Sequence, residues 1–253
     1  MAVYAKVKKN GDYCSHNFAH AVFGFREMGA EIIKYESLSD IYNLVTREDI
    51  VLDYIYQSQE ILKKFGVMPS FDDYPKELQP FMGRKIWLDT IDNFNATPDK
   101  WGVFIKPIKD KMFTGRVVNS PKDLIGCGND QENYEILCCD TINIKREWRG
   151  FVIYDKLVDI RPYRGDYHYN YDPKIVDKIM EAFRTIHDRP AGCSVDIAVI
   201  EKDAKEETVF LEMNDGYSLG HYGLHYLNYA KLLSARWSQL VGIVDPYDFR
   251  GYV

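Results

Sequence analysis

Apolar and polar positions follow two rhythms along this chain, and the change between them falls near residue 83. In residues 3–66 short apolar runs alternate with helical spacing. A strand is expected at residues 3–7, an amphipathic helix at 18–28 closed by Gly29, and a strand at 31–35, which together form a βαβ rhythm. A further strand is expected at 50–54 and a helix at 58–64, stopped by Gly66 and Pro69. Residues 75–84 read as a connector. Beyond it strands dominate, at 102–106, 115–118 and 135–140, with a hairpin over 147–161 turning at Asp155-Lys156. Two helices interrupt them. One spans 173–187, with Ile175, Val176, Ile179, Met180, Phe183 and Ile186 on one stripe and Pro173 in its first turn. The other spans 224–240. No internal repeat or low-complexity tract occurs.

The segment 193–215 carries two apolar strands, CSVDIAVIE and TVFLEMND, joined by the charged residues 202–207, and predicts a second hairpin. With a turn centred on Ala204, Val195 faces Met213, Ile197 faces Leu211 and Val199 faces Val209, so one face is apolar. The same register sets Asp196 opposite Glu212, and the strand period of two places Asn214 on that face. Two opposed carboxylates repel unless something compensates them, and a hard, oxygen-preferring magnesium ion would do so. The alternative is that both carboxylates lie on a solvent face.

Composition narrows the class. The chain has 253 residues, enough for a sizeable core, with 46% hydrophobic and 14% aromatic residues and no long charge-free apolar run. Five cysteines without a CxxC pair suggest free thiols in a reducing compartment, and the start MAVYAKVKKNGDY lacks an apolar signal core, so a cytoplasmic location is expected. A net charge of -6 argues against a nucleic-acid partner, and nothing calls for a membrane.

No GxxxxGK[ST] loop, GxGxxG turn or protein-kinase signature occurs. What remains for an anion is the apolar strand 103–106 ending in Lys106, followed by residues 108–115 as a covering loop. The alternative for Lys106 is an ordinary surface lysine. Arg149 and Arg161 are equidistant from Asp155 and so face one another across the first hairpin. Opposed like charges suggest an anion between them, unless both are simply exposed.

The order of these motifs resembles the ATP-grasp superfamily: a Lys-Pro strand, a covering loop, an acidic hinge, Glu-x-Arg, a second arginine, then Asp and Glu-x-Asn on paired strands. The resemblance covers residues 83–220, and is to small divergent bacterial and phage members. It implies an α+β ATP-grasp fold, two α+β subdomains clasping ATP over residues 83–253, preceded by a small α/β domain over 1–82. Carried over by position, Lys106 and Lys85 (or Arg84) would contact the nucleotide's phosphates. Residues 135–140 would form the hinge, with backbone bonds to adenine from Leu137, Cys138 and Cys139 and with Asp140 on the ribose. Glu147-Trp148-Arg149 matches the acidic-x-Arg step, and Arg149 and Arg161 would hold the acceptor carboxylate or the γ-phosphate. Asp196, Glu212 and Asn214 match the magnesium ligands. After Asn214 the run Asp215-Gly216-Tyr217-Ser218-Leu219-Gly220 departs from the family's proline-containing turn.

The resemblance implies an ATP- and Mg2+-dependent carboxylate-amine ligase working through an acyl phosphate, with an amino acid or short peptide as substrate by analogy. A kinase on the same fold and a non-catalytic nucleotide-binding module are the alternatives. Three features lie outside this scheme. Cys138 and Cys139 are read as packing residues, and His221 and His225, at helical i, i+4 spacing, as polar contacts at a helix start. Tyr163, Tyr167, His168, Tyr169 and Tyr171 are expected to line the substrate pocket or to pack as a surface loop.

Overall fold

The computed structural model describes residues 1–108, 112–128, 132–248 and 250. In chain order the elements are β1 (Ala2–Lys6), α1 (His16–Glu27), β2 (Glu31–Tyr35), α2 (Leu38–Ile41), β3 (Ile50–Leu52), α3 (Ile55–Lys64), β4 (Ile86–Thr90), α4 (Ile91–Asn95), β5 (Val103–Pro107), β6 (Arg116–Val118), β7 (Glu135–Cys139), β8 (Asn143–Ile153), β9 (Lys156–Gly165), α5 (Pro173–Phe183), β10 (Gly192–Lys202), β11 (Lys205–Asp215) and α6 (Tyr226–Val241). They form three sheets, ordered β2-β1-β3, β11-β10-β8-β9 and β4-β7-β5-β6. The chain divides into two compact units: residues 1–81, 145–199 and 208–253 in one, and 82–144 with 200–207 in the other.

The first unit gathers the β2-β1-β3 and β11-β10-β8-β9 sheets and the helices packed on them. β1 pairs in parallel with both β2 and β3. α1 starts at Ser15, whose hydroxyl accepts the Asn17 N–H, and buries Phe18, Ala21, Val22 and Phe25. Its partner is α6, and they meet at Gly24, where a Cβ would stand 2.2 Å from the Tyr226 carbonyl oxygen. α5 opens with Asp172 accepting the Lys174 N–H and buries Val176, Ile179, Met180 and Phe183. Val176, Ile179 and Met180 line a small apolar void with Val195 and Ile197 of β10, which places α5 on that face of the four-stranded sheet. The sheet's other face sends Phe151 into the core shared by Phe25, Leu232 and Trp237.

In the second unit Ile91, Phe94, Ile105, Val118, Ile136 and Cys138 form a separate core. Neither β4 nor α4 is legible in the sequence, because the five residues of β4 are all half-buried or exposed and show no period of two. Thr90 caps α4 by accepting the Asn93 N–H. α5, in the first unit, ends at Phe183, four residues short of the expected His187.

The β8–β9 hairpin pairs Arg149 with Arg161, as the sequence predicts, by a different route. The turn is Tyr154-Asp155, one residue earlier than expected, with Tyr154 at φ 57°. A bulge between Phe151 and Val152 then shifts the register by one and restores the expected partners. The second hairpin turns on Asp203 and Ala204, both in the left-handed region.

Candidate active site

β10 lies between β11 and β8, and its residues 192–200 are buried on both faces. Asp196 is therefore 1% exposed, which excludes the solvent-face alternative. On β8, Arg149 meets it side on: Nε donates to Oδ1 at 2.9 Å and Nη2 to Oδ2 at 2.6 Å. Asn214 of β11 donates its Nδ2 to the same Oδ2 at 3.3 Å. Glu212, two residues back on β11, accepts from the Tyr74 hydroxyl at 3.2 Å and is near enough for its charge to raise the Asp196 pKa. Burial is the largest cause of that rise, and the bonds from Arg149 oppose it. Burial also works against the Arg149 charge, but the Asp196 bonds outweigh it and its pKa is raised. The connector closes the β11 edge, since the Met213 N–H donates to the Asp73 carbonyl. The structure thus gathers Asp196, Asn214, Glu212 and Arg149.

The opposed arginines need no external anion, because Arg149 has Asp196 and Arg161 has Asp159, two residues along its own strand, at 2.6 Å. Similarly, Asp196 is compensated by Arg149 before any metal is considered. Glu147 is buried and its Oε2 accepts from the Tyr163 hydroxyl at 2.8 Å, while Arg164 stands 3.4 Å from its Oε1. Tyr163 tilts against Tyr222, and the Arg149 guanidinium lies over both rings, 4.6 Å from Tyr222 and 5.8 Å from Tyr163. Tyr222 carries no sequence signal, because nothing in the pattern around it anticipates its approach to β8.

In the second unit, Lys106 of β5 pairs with Leu137 of β7, and Phe104 with Cys139. Arg84 and Lys106 both act on the Cys139 thiol as nearby positive charges, so the cations share its side of the sheet. Lys85 and Asp140 are joined twice: the Asp140 N–H donates to the Lys85 carbonyl, and the Lys85 N–H donates to Asp140 Oδ2 at 3.0 Å. The hinge expectation needs correction. β7 is laddered to β4 over residues 135–139 and to β5 over 136–139, so the backbone groups of Leu137, Cys138 and Cys139 are already committed and cannot bond adenine. Residues 109–111 of the expected covering loop lie outside the described residues.

Burial pushes the Cys138 thiol up to about 12 and raises Cys139, so both are protonated packing groups at neutral pH. All five cysteines are free. His221 and His225 are not on one helix, since α6 begins at Tyr226: His225 caps it by accepting the Leu227 N–H, and His221 stacks on His20 at 4.0 Å. Of the aromatic run, Tyr163 joins the Arg149 cluster and Tyr171 packs edge-on to Trp148, whereas Tyr167 is 74% exposed.

The donor set suits magnesium in chemistry: two carboxylates and an amide, all hard oxygen donors. Among the described residues no cluster of three His, Cys, Asp or Glu groups exists, so a third donor to a cation at Asp196 and Glu212 would have to come from another residue type, as Asn214 could provide. Its amide now turns Nδ2 toward Asp196. A cation shared by the two would take the amide oxygen and requires that amide turned over.

A family model described as an ATP-grasp domain, the second family of its clade, matches residues 81–232, and the chain belongs to that ATP-grasp family. The α+β fold is that of ATP-grasp proteins. It is similar to D-alanine–D-alanine ligase from Bacillus anthracis complexed with ATP, at TM-score 0.52 and 13% identity, over 95% of this chain and 97% of that one. It is also similar to a RimK domain ATP-grasp protein from Sphaerobacter thermophilus, at TM-score 0.53 and 12% identity, over 92% and 98% of the two chains. D-cycloserine synthetase DcsG gives TM-score 0.53 and 11% identity, over 93% and 100%. No curated protein sequence matches. No helix of the described residues is long and apolar enough to cross a membrane.

Proposed function

We propose that this protein is an ATP-dependent carboxylate-amine ligase that forms an amide or peptide bond through an acyl phosphate. The observation that carries the reading is the convergence of Asp196, Asn214, Glu212 and Arg149 on one sheet of a chain whose family is ATP-grasp. Asp196, Glu212 and Asn214 would hold Mg2+, which supplies charge neutralisation along the nucleotide's phosphates. Arg149 would stay anchored on Asp196 and turn its remaining N–H groups to the acceptor carboxylate or transferring phosphoryl group. Arg161 is more exposed and can exchange Asp159 for the substrate. Glu147 would hold Tyr163 beside Arg149.

Lys106 and Lys85 are assigned to the phosphates, and the side chains of Leu137 and Cys139 to the adenine surface. Because the β7 backbone is committed, we assign the adenine-facing backbone to Thr141 and to the N–H of Ile142, whose carbonyl already accepts the Ile144 N–H; these are the first residues past the Lys85–Asp140 clasp. Residues 1–82 we take as the small domain that precedes the ATP-grasp region, working in the cytoplasm on an amino acid or short peptide. The test is phosphate release with ATP and Mg2+ across pairs of amino acids. A ligase releases ADP and phosphate only when acid and amine are both present. A stable phosphorylated product from one substrate would identify a kinase instead, and binding without turnover a non-catalytic module.

A further inference from the structure

The loop from Leu219 to Leu224 is built around one unusual residue. Tyr222 has φ +44° and Gly223 φ +89°, the two central residues of a tight turn closed by the Leu224 N–H on the His221 carbonyl at 2.7 Å; glycine meets that left-handed demand freely, whereas a residue with a Cβ avoids it. It is 48% exposed, yet one face of its ring lies on the Arg149 guanidinium at 4.6 Å and its edge tilts on Tyr163 at 5.4 Å. The loop around it is fixed from several sides. The Tyr229 hydroxyl donates to the Leu219 carbonyl, and the His221 N–H donates to Asn17 Oδ1 at 3.2 Å. The Gly223 N–H donates to His221 Nδ1 at 2.9 Å, and His20 Nε2 donates to the Leu224 carbonyl at 2.7 Å. Gly220 leaves room for the ring, because a Cβ there would come within 3.0 Å of it. The turn would form more readily with glycine or asparagine at 222, so a tyrosine held there by this many contacts indicates that the placement of the ring is what the loop provides.

We propose that Tyr222 is a positioning residue for Arg149. Its ring, side by side with Tyr163, keeps the guanidinium plane in line with the Asp196 carboxylate and shields those two hydrogen bonds from water. Without the ring, Arg149 would keep Asp196 and the more distant Tyr163 but would open to solvent where Tyr222 stood, and its free N–H groups would lose their fixed direction. The catalytic consequence rests on the ligase reading; the structural claim about Arg149 does not.

The test follows the Arg149 Nε–H by proton–nitrogen NMR on the full chain, with Arg149→Lys identifying the signal by its loss. In the native protein and in Tyr222→Phe, which keeps the ring, the proton should exchange slowly with water. In Tyr222→Gly, which adopts φ +44° freely and so preserves the loop backbone, exchange should be roughly tenfold faster. Thermal unfolding of Tyr222→Gly should show no loss, which separates positioning from general stability. Unchanged Arg149 exchange in Tyr222→Gly would overturn the proposal. Calorimetry with ATP and Mg2+ on the native protein keeps the two claims apart: absence of binding defeats the ligase reading and leaves the Arg149 result standing on its own.

Discussion

Arg149 and Asp196 stand on adjacent strands and are joined by two hydrogen bonds, one to each carboxylate oxygen, in a place almost closed to water. A pair of this kind is costly to break, because truncating one partner strands a buried charge, while replacing both by apolar groups often costs little. Asp196→Ala should therefore destabilise the protein by about 3–5 kcal/mol in chemical denaturation. The double replacement Arg149→Met, Asp196→Leu should recover most of that loss and still lack nucleotide binding. If the double variant is as unstable as the single one, the pair is not the buried unit described.

The α1–α6 crossing depends on a residue without a side chain. Gly24→Ala places a methyl carbon 2.2 Å from a backbone oxygen and 2.7 Å from the Ala230 Cβ, neither of which can move without displacing α6. A loss of about 1–3 kcal/mol is expected. Phe23→Ser, one residue away and largely exposed, should stay within about 0.5 kcal/mol. Equal unfolding midpoints for the two variants would contradict this packing.

His221 gives the fold a pH dependence of definite sign. Burial lowers its pKa below the ordinary 6.5, and its neighbours His20 and His16 lower it further. The unfolded chain therefore binds the proton more readily. The stability this group contributes is complete above about 6.5 and is lost as pH falls through the lowered folded value. His221→Gln should flatten the unfolding midpoint across that range relative to the native protein. A native midpoint that does not fall between about pH 7 and 5 would contradict it.

The strands that carry the site are legible because their alternation is strong. The apolar residues of β10 and β11 fix which face Asp196, Glu212 and Asn214 take. Arg149 and Arg161 fall opposite one another even though the turn lies one residue earlier than the pattern places it, because a bulge restores the register. What faces those residues is not legible. Whether Asp196 meets a metal or an arginine is decided by how β8 docks on β10, which no local pattern encodes. The ladders on both sides of β7, which remove its backbone from the hinge, depend on β4, a strand whose five residues carry no alternation. Tyr222 is fixed by Asn17 and His20, whose bonds to its loop each span 204 positions along the chain.

In the proposed ligase site Glu212, with Asp196 and Asn214, would hold the magnesium of a bound nucleotide. Glu212→Gln keeps the size of the side chain and its acceptor for Tyr74, and removes one anionic ligand. Calorimetric titration with ATP, with and without Mg2+, measures the consequence. The native protein should bind ATP more tightly when Mg2+ is present, and Glu212→Gln should lose that enhancement, weakening Mg-ATP binding by roughly tenfold or more while unfolding at a similar temperature. Native-like, Mg2+-dependent binding by Glu212→Gln would contradict the assignment.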